Sequence, residues 1–259
     1  MSDSMNQAIS FYGGTDIGRV RQKNEDSILC CEFEHSDVCL LVVADGVGGH
    51  AGGDIASKLA VDTMQETVAK AILQANSGGG YAENWLQLTL KHAVEEANNA
   101  ILKQQTEQAE LRQMATTVVA MLVRPQVVAL SYLGDSRCYQ YVDDLFVQIT
   151  EDHTMLQQML NDGMIDQQEF DSLPLHHMIS QALGLTNHPQ VKVNVVDFPE
   201  NAMFLLCSDG LTNCVSDAQI EHVLSSSEDL TSCVDQLITH ANDNGGVDNI
   251  SVIVVRKYN

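Results

Sequence analysis

Positively charged residues are scarce in this chain. Thirteen Lys and Arg stand against thirty-five Asp and Glu among 259 residues, which gives a formal net charge of -22. A charge of this sign and size repels nucleic acid and anionic membrane surfaces. Both are therefore excluded as non-specific partners, and any phosphate group must be drawn in locally, by metal ions or by an Arg.

Several other features are absent. No apolar stretch approaches the ~20 residues that span a bilayer, and residues 1–7 have neither the basic nor the apolar region of a secretion signal. The seven cysteines include no C-x-x-C pair, so a zinc site is disfavoured, and buried free thiols in a reducing compartment explain the cysteines best. We therefore expect a cytoplasmic protein with no membrane partner.

The chain also lacks two motifs that would point to other chemistry. It has no Cys-x5-Arg signature, so a mechanism through a cysteinyl phosphate is not expected. It has no Asp-x-Asp-x-Asp-Gly loop, which separates it from the common calcium-binding domains.

Apolar periodicity predicts an α+β domain. Short connections between residues 116 and 150 predict an antiparallel meander, because a parallel crossover needs a dozen or more residues. Long helices beside antiparallel strands indicate helices that cover packed sheets. Strands are predicted over 9–18, 27–34, 38–44, 116–123, 126–133, 137–141, 145–149, 191–198, 203–207 and 250–255; helices over 54–74 with Asp54 as the N-cap, 83–107, 216–225 and 230–242; and residues 154–183 as helical or irregular.

Acidic residues recur where these apolar runs end. Asp45 and Asp209 each follow a predicted strand, and Asp248 precedes one. If the strands are neighbours, three carboxylates meet at one end of the sheet and require a counter-ion. Oxygen-only ligands favour Mg²⁺ or Mn²⁺ over Zn²⁺. Two such ions activate water for attack on phosphorus, Gly46 allows close approach of a backbone carbonyl, and Arg21 fits a clamp on a phosphate.

A set of short motifs follows one another along the chain. They are residues 15–21 (TDIGRVR), 24–26 (NED), 45–53 (DGVGGHAGG), 134–137 (GDSR), 152–153 (DH), 182–184 (ALG), 208–211 (SDGL) and 248–249 (DN). One such motif carries little information, whereas this many in one order carry much more. In this order they resemble the protein phosphatase 2C family in its bacterial form, from about residue 9 to residue 257.

The resemblance implies a fold, an activity and a set of site residues. The fold is α+β, a sandwich of two antiparallel sheets flanked by helices, with a flap at about 155–180 that borders the cleft and influences substrate choice. The activity is hydrolysis of phosphoserine and phosphothreonine in proteins by direct attack of a metal-bridged water or hydroxide. The implied partners are phosphorylated proteins, among them a Ser/Thr kinase and its substrates, and the protein is expected to be a monomer.

By position, the resemblance implies that Asp45 bridges two Mg²⁺ or Mn²⁺ ions and that Gly46 offers its carbonyl. Asp209 and Asp248 complete the second metal site, Asp26 and less surely Glu25 hold metal-bound water, and Asp135 joins Asp209 in a third site. Arg21 binds the substrate phosphate, and His50 is a candidate general acid for the leaving oxygen, since imidazole titrates near neutral pH.

Other interpretations stay open for parts of the pattern. Asp135 could be a turn residue paired with Arg137, His50 could be an ordinary loop histidine, and Asp152 and His153 fit a helix N-cap and a structural hydrogen bonder better than catalysts. The glycines after Asp45 formally match a dinucleotide-binding loop, although the carboxylate and the antiparallel strands argue against it. A catalytically silent phosphoprotein-binding module is the rival from another functional class.

Overall fold

A computed structural model describes residues 9–47, 52–173 and 178–258. None of the helices in these segments is long and apolar enough to cross a membrane. The strands are β1 (Ile9–Asp16), β2 (Asp26–Glu32), β3 (Cys39–Val47), β4 (Ala115–Thr116), β5 (Val118–Arg124), β6 (Val127–Leu133), β7 (Arg137–Val142), β8 (Leu145–Gln148), β9 (Val193–Asp197), β10 (Met203–Cys207) and β11 (Ile250–Lys257). The helices are α1 (Gly53–Gly78), α2 (Trp85–Glu107), α3 (Met155–Asn161), α4 (Gln167–Ser172), α5 (Asp209–Thr212), α6 (Asp217–Ser226) and α7 (Leu230–Asp243).

The strands form two antiparallel sheets. The first sheet has the order β2-β3-β5-β6-β9, with β4 paired to β3, and the second has the order β1-β11-β10-β7-β8. Helices α1 and α2 pack on the first sheet, and α7 packs on the second. The predicted α+β sandwich with flanking helices is confirmed.

Alternation along the buried strands explains this layering. In β3, Leu40 and Val42 belong to the core beneath α1 and α2, whereas Leu41 and Val43 belong to the core between the sheets. Because successive strand residues point to opposite faces, a strand buried on both sides is apolar throughout. The unbroken apolar run before Asp45 is therefore a strand in the middle of a layered domain.

The predicted meander is wrong. Strands β5 and β6 pair in the first sheet, but β7 and β8 pair in the second. The chain crosses between the sheets over residues 134–136, and Gly134 has a positive φ of 112°. A short connection excludes a parallel neighbour in the same sheet, but it does reach a facing sheet about 10 Å away.

The first helix begins slightly earlier than predicted. Its N-cap is Gly52, with φ 119°, and Asp54 lies in the first helical turn without capping it. There the Asp54 carboxylate forms an ion pair with Lys23, with 2.6 Å between Asp54 Oδ1 and Lys23 Nζ. A carboxylate in the first turn is favourable because the helix dipole is positive at that end.

Candidate active site

A cavity of about 410 Å³ opens at one end of the sandwich. Strands of both sheets end there, so that side chains from distant parts of the sequence line one space. The lining residues are Arg21, Glu25, Asp45, Gly46, Val47, Thr117, Asp135, Ile179, Asp209, Asn213, Val247, Asp248 and Asn249.

The first sheet contributes Asp45 through β3. Asp26 is its direct neighbour across the β2–β3 pair. Thr117 holds the Asp45 backbone on the other side: its amide donates to the Asp45 carbonyl at 2.8 Å, and its hydroxyl accepts the Asp45 amide at 3.1 Å. These bonds fix the last part of the strand, so Asp45 is held rigidly beside the cavity.

The second sheet contributes Asp209 and Asp248. Asp209 follows β10 and Asp248 precedes β11, and these strands are antiparallel neighbours. The two carboxylates therefore meet at one edge of the second sheet, facing Asp45 from the first. The sequence argument placed all three on one sheet; the sandwich instead brings them together from two.

Gly46 lies where only glycine fits. A Cβ built on Gly46 would overlap the Gly53 carbonyl group and lie 2.7 Å from the Glu25 carbonyl oxygen. Contacts this short with backbone atoms cannot be relieved by a side-chain rotation. The close approach of three backbone segments therefore requires glycine after Asp45.

The carboxylates raise one another's pKa. Burial is the first cause at Asp45, whose pKa lies well above its ordinary value although its side chain reaches the cavity, and the neighbouring acids Asp26 and Asp209 add to the effect. Burial and the charge of Asp209 raise the pKa of Asp135 to about 7. Burial raises the pKa of Asp26 to about 6. Crowded carboxylates of this kind are stabilised in the ionised form by a bound cation.

Asp26 has one buried oxygen with no hydrogen-bond partner. Its Oδ2 accepts from the Ser208 hydroxyl at 2.8 Å, whereas its Oδ1 is buried and unpaired. A buried carboxylate oxygen without a donor is costly, and a hydrated cation would satisfy it.

The donor set fits Mg²⁺ or Mn²⁺. Within the described ranges, no three His, Cys, Asp or Glu side chains are close enough together to hold one ion by themselves. Mg²⁺ does not require such a cage, because it keeps several waters and is usually held by one or two carboxylates. Oxygen ligands spread around an open cavity therefore suit hydrated divalent cations.

Arg21 lies at the mouth of the cavity. Its Nη2 donates to Asp248 Oδ2 at 2.6 Å, and its side chain is half exposed. The guanidinium is thus placed beside the carboxylates while part of its hydrogen-bonding capacity faces solvent.

The cavity collects most of the site residues predicted from the sequence: Arg21, Asp45, Gly46, Asp135, Asp209 and Asp248. Asp26 is buried beside Asp45. His50 falls outside the residues that the structure describes.

Two alternatives considered for other residues are not realised. Arg137 binds Asp152, with three donor–acceptor distances between 2.6 and 3.1 Å, and is not the hydrogen-bonded partner of Asp135. Thr154, rather than Asp152, caps α3.

Sequence reasoning missed the roles of several polar neighbours. Asn213 donates to Asp209 Oδ2 at 3.0 Å, and Ser208 joins Asp26 to the amide of Ser251. The sequence carried only a weak signal for these roles. Polar residues stand close to the acidic motifs, and Thr117 places a hydroxyl beside an apolar strand.

Comparison with known proteins yields matches over nearly the whole chain. A family profile described as Protein phosphatase 2C matches residues 14–252. The chain is 38% identical over 248 residues to the serine/threonine phosphatase stp of Listeria innocua. The aligned region covers 94% of each protein. The crystal structure of the Mycobacterium tuberculosis serine/threonine phosphatase PstP/Ppp superposes with a TM-score of 0.83 at 32% identity, covering 97% of this chain and 100% of that one. The catalytic domain of PstP in complex with two manganese ions gives a TM-score of 0.78 at 31% identity, covering 97% and 99% of the two chains.

Proposed function

Because this chain belongs to the protein phosphatase 2C family and is a metal-dependent serine/threonine phosphatase, we propose that the acidic cavity is its catalytic centre. Asp45 and the Gly46 carbonyl lie on the first sheet, and Asp209 and Asp248 on the second. These residues would hold two Mg²⁺ or Mn²⁺ ions. Asp26, with Glu25, would add oxygen acceptors beside them, and Asp135 with Asp209 would hold a third ion.

One observation carries this proposal. Carboxylates that are far apart in the sequence line a single cavity, and their burial and mutual repulsion hold the pKa of Asp45 well above its ordinary value. When bound, the two cations supply charge neutralisation and the Lewis acidity that activates water. The protein's own contribution is to fix the carboxylates on two rigid sheet ends.

Arg21 binds the substrate phosphate. Its ion pair with Asp248 keeps the guanidinium at the mouth of the cavity, and its exposed nitrogens are available to phosphate oxygens. A planar guanidinium binds phosphate through two parallel hydrogen bonds, which also orients the ester. His50 is proposed as the general acid on the resemblance and on the pKa range of imidazole.

Residues 9–257 act as one catalytic domain, with 155–180 as its flap. Helices α3 and α4 lie in this segment, and its residue Ile179 lines the cavity. A segment that borders the phosphate site also contacts the protein around the phosphorylated residue, which supports a role in substrate choice.

The proposed substrates are phosphoproteins, including a Ser/Thr kinase and its targets, and the enzyme works as a monomer. We place it in the cytoplasm. The support is chemical: all seven cysteines fall within the described residues and are free thiols, the state that a reducing compartment maintains.

Metal dependence and Asp45 provide the direct test. With p-nitrophenyl phosphate, the enzyme should be inert in EDTA and recover on addition of Mn²⁺. Asp45→Asn should lower kcat by roughly a hundredfold or more at saturating Mn²⁺, since it removes a carboxylate charge that would hold the cations that stabilise the transition state.

Asp62→Asn is the matched control, because Asp62 is a half-exposed acid on α1 that pairs with Lys58 at 2.6 Å. It should keep wild-type turnover. If Asp45→Asn retained more than about a tenth of the wild-type kcat while folded, the proposed role of Asp45 would be rejected.

A further inference from the structure

Asn249 follows Asp248 directly and precedes β11. Its side chain is buried, with 4% of the residue exposed, although it lies at the wall of the cavity. Buried amide side chains are costly unless their donors and acceptors are paired. The partners of Asn249 therefore indicate what this residue holds in place.

The Asn249 amide makes three hydrogen bonds to a single loop. Its Nδ2 donates to the carbonyls of Ile17 at 2.9 Å and Lys23 at 3.0 Å, and its Oδ1 accepts the amide of Glu25 at 2.8 Å. These residues lie on both sides of Arg21. Hereafter the clasp loop means residues 17–25.

The clasp loop also packs closely against the backbone before Asn249. The amides of Arg19 and Val20 donate to the Gly246 carbonyl at 2.7 and 3.3 Å. A Cβ on Gly18, whose φ is +80°, would overlap the Asp248 carbonyl oxygen. The loop thus lies directly on residues 246–249, without the regular hydrogen-bond ladder of a helix or strand.

Arg21 depends on this support. Its side chain is half exposed, and among the residues that the structure describes its hydrogen-bond partner is Asp248. A long side chain with few contacts is positioned mainly by its backbone. Asn249 holds the loop before and after Arg21. It therefore fixes the backbone position from which the Arg21 side chain extends.

We propose that Asn249 is a positioning residue for phosphate binding, which acts by holding the clasp loop so that Arg21 faces the substrate phosphate. This inference rests on the role of Arg21 proposed above. It assigns to Asn249 an effect on the binding of phosphate groups that is transmitted through Arg21 and no other residue.

Asn249→Asp is the most informative variant. The carboxylate has nearly the shape of the amide and still accepts from Glu25, but it loses both donated bonds and places a negative oxygen against two carbonyls. Asn249→Ser removes both donated bonds, and also the bond from the Glu25 amide, without adding a charge, and so separates loss of the bonds from electrostatic repulsion.

Asn98 offers a matched control. It is 1% exposed, donates to the Thr186 carbonyl at 2.9 Å and accepts the Gly184 amide at 2.8 Å. It has the same kind of bonds in a buried place and is not part of the cavity wall. Asn98→Asp therefore reports the general cost of disturbing a buried asparagine.

The experiment measures KM and kcat for p-nitrophenyl phosphate and the affinity for inorganic phosphate by titration calorimetry, both with saturating Mg²⁺. Asn249→Asp and Asn249→Ser should raise KM and the phosphate Kd by about tenfold, the scale of one charge-assisted hydrogen bond. The change in kcat should be smaller, and Asn98→Asp should leave KM unchanged. Each variant is also made with Arg21→Ala.

The double variants decide how Asn249 acts. If it acts through Arg21, adding Asn249→Asp to Arg21→Ala should raise KM no further. Additive effects, an unchanged KM, or failure of both Asn249 variants to fold while Asn98→Asp folds would overturn the inference. If Arg21→Ala itself leaves KM unchanged, the proposed role of Arg21 fails first, which distinguishes the two cases.

Discussion

Asp26, Asp45 and Asp135 are acidic side chains placed where ionisation is unfavourable. Each is desolvated, and each has another carboxylate as a neighbour. Such an arrangement costs stability unless cations are present. The site therefore links the folding of the protein to its metal ions.

The pH dependence of the metal-free protein follows from these shifts. Burial and Asp209 raise the pKa of Asp135 to about 7, from 3.8. Between these pH values the folded state binds more protons than the unfolded state, so the free energy of unfolding falls as pH rises. Urea unfolding in EDTA should show lower stability at pH 8 than at pH 5.

Asp135→Asn isolates the contribution of that residue. The variant cannot ionise, so its stability advantage over wild type in EDTA should grow from pH 5 to pH 8 by more than about 1 kcal/mol. A constant difference between the two proteins across this range would contradict the raised pKa of Asp135.

The sequence revealed the acids of the site better than the residues that hold them. Carboxylates at strand ends form a local pattern, and it predicted Asp45, Asp209 and Asp248. Thr117 and Asn249 act through hydrogen bonds to residues 72 and 224 positions away. No periodicity or spacing encodes such partners, because they are set only when distant strands pair and the two sheets pack.

At the level of strands, the prediction failed at one connection. The boundaries of most strands and helices agree with the apolar pattern, including α7, predicted over 230–242 and observed as Leu230–Asp243. The step from β6 to β7 was assigned to one sheet because the connection is short, but connection length does not distinguish a neighbour in the same sheet from a strand of the facing sheet. The pattern therefore could not tell which sheet each strand joins.

Gly134 makes this step possible, and its replacement is testable. With φ +112°, its added Cβ would also lie 2.6 Å from Thr117 Cγ2. Gly134→Ala should destabilise the protein through backbone strain and overpacking, and it should displace Asp135. Gly79→Ala is the control, because Gly79 also has a positive φ, +98°, but nothing lies within 4 Å of its Cβ position.

Chemical unfolding should show that Gly134→Ala costs about 1–3 kcal/mol more than Gly79→Ala, the usual range for overpacking a buried site. Activity should fall only in Gly134→Ala, because the neighbouring Asp135 and Thr117 line the cavity. Equal destabilisation by the two variants would show that the contact with Thr117 is not a constraint.

For the molecule as a whole, the net charge of -22 governs the approach of substrates. A phosphopeptide with basic flanking residues is attracted over long distances, and one with acidic flanks is repelled. Raising the ionic strength from about 0.01 M to about 0.15 M shortens the Debye length from about 30 Å to about 8 Å.

We therefore expect kcat/KM for the basic phosphopeptide to fall by roughly threefold to tenfold over this range, and that for the acidic one to rise. Stopped assays on two peptides with the same phosphoserine and opposite flanks make the comparison. A parallel change for both peptides would mean that salt acts on the metal ions or on the fold instead.

The position of β11 has a consequence for synthesis. It follows the other described strands in chain order, yet it lies inside its sheet, between β1 and β10, and it begins just after Asp248 and Asn249. Until the ribosome has released this stretch, β1 and β10 have no strand between them. The cavity then also lacks Asp248 and Asn249 from its lining. On the proposed assignment of the site, we expect dephosphorylation to begin only once translation has passed β11.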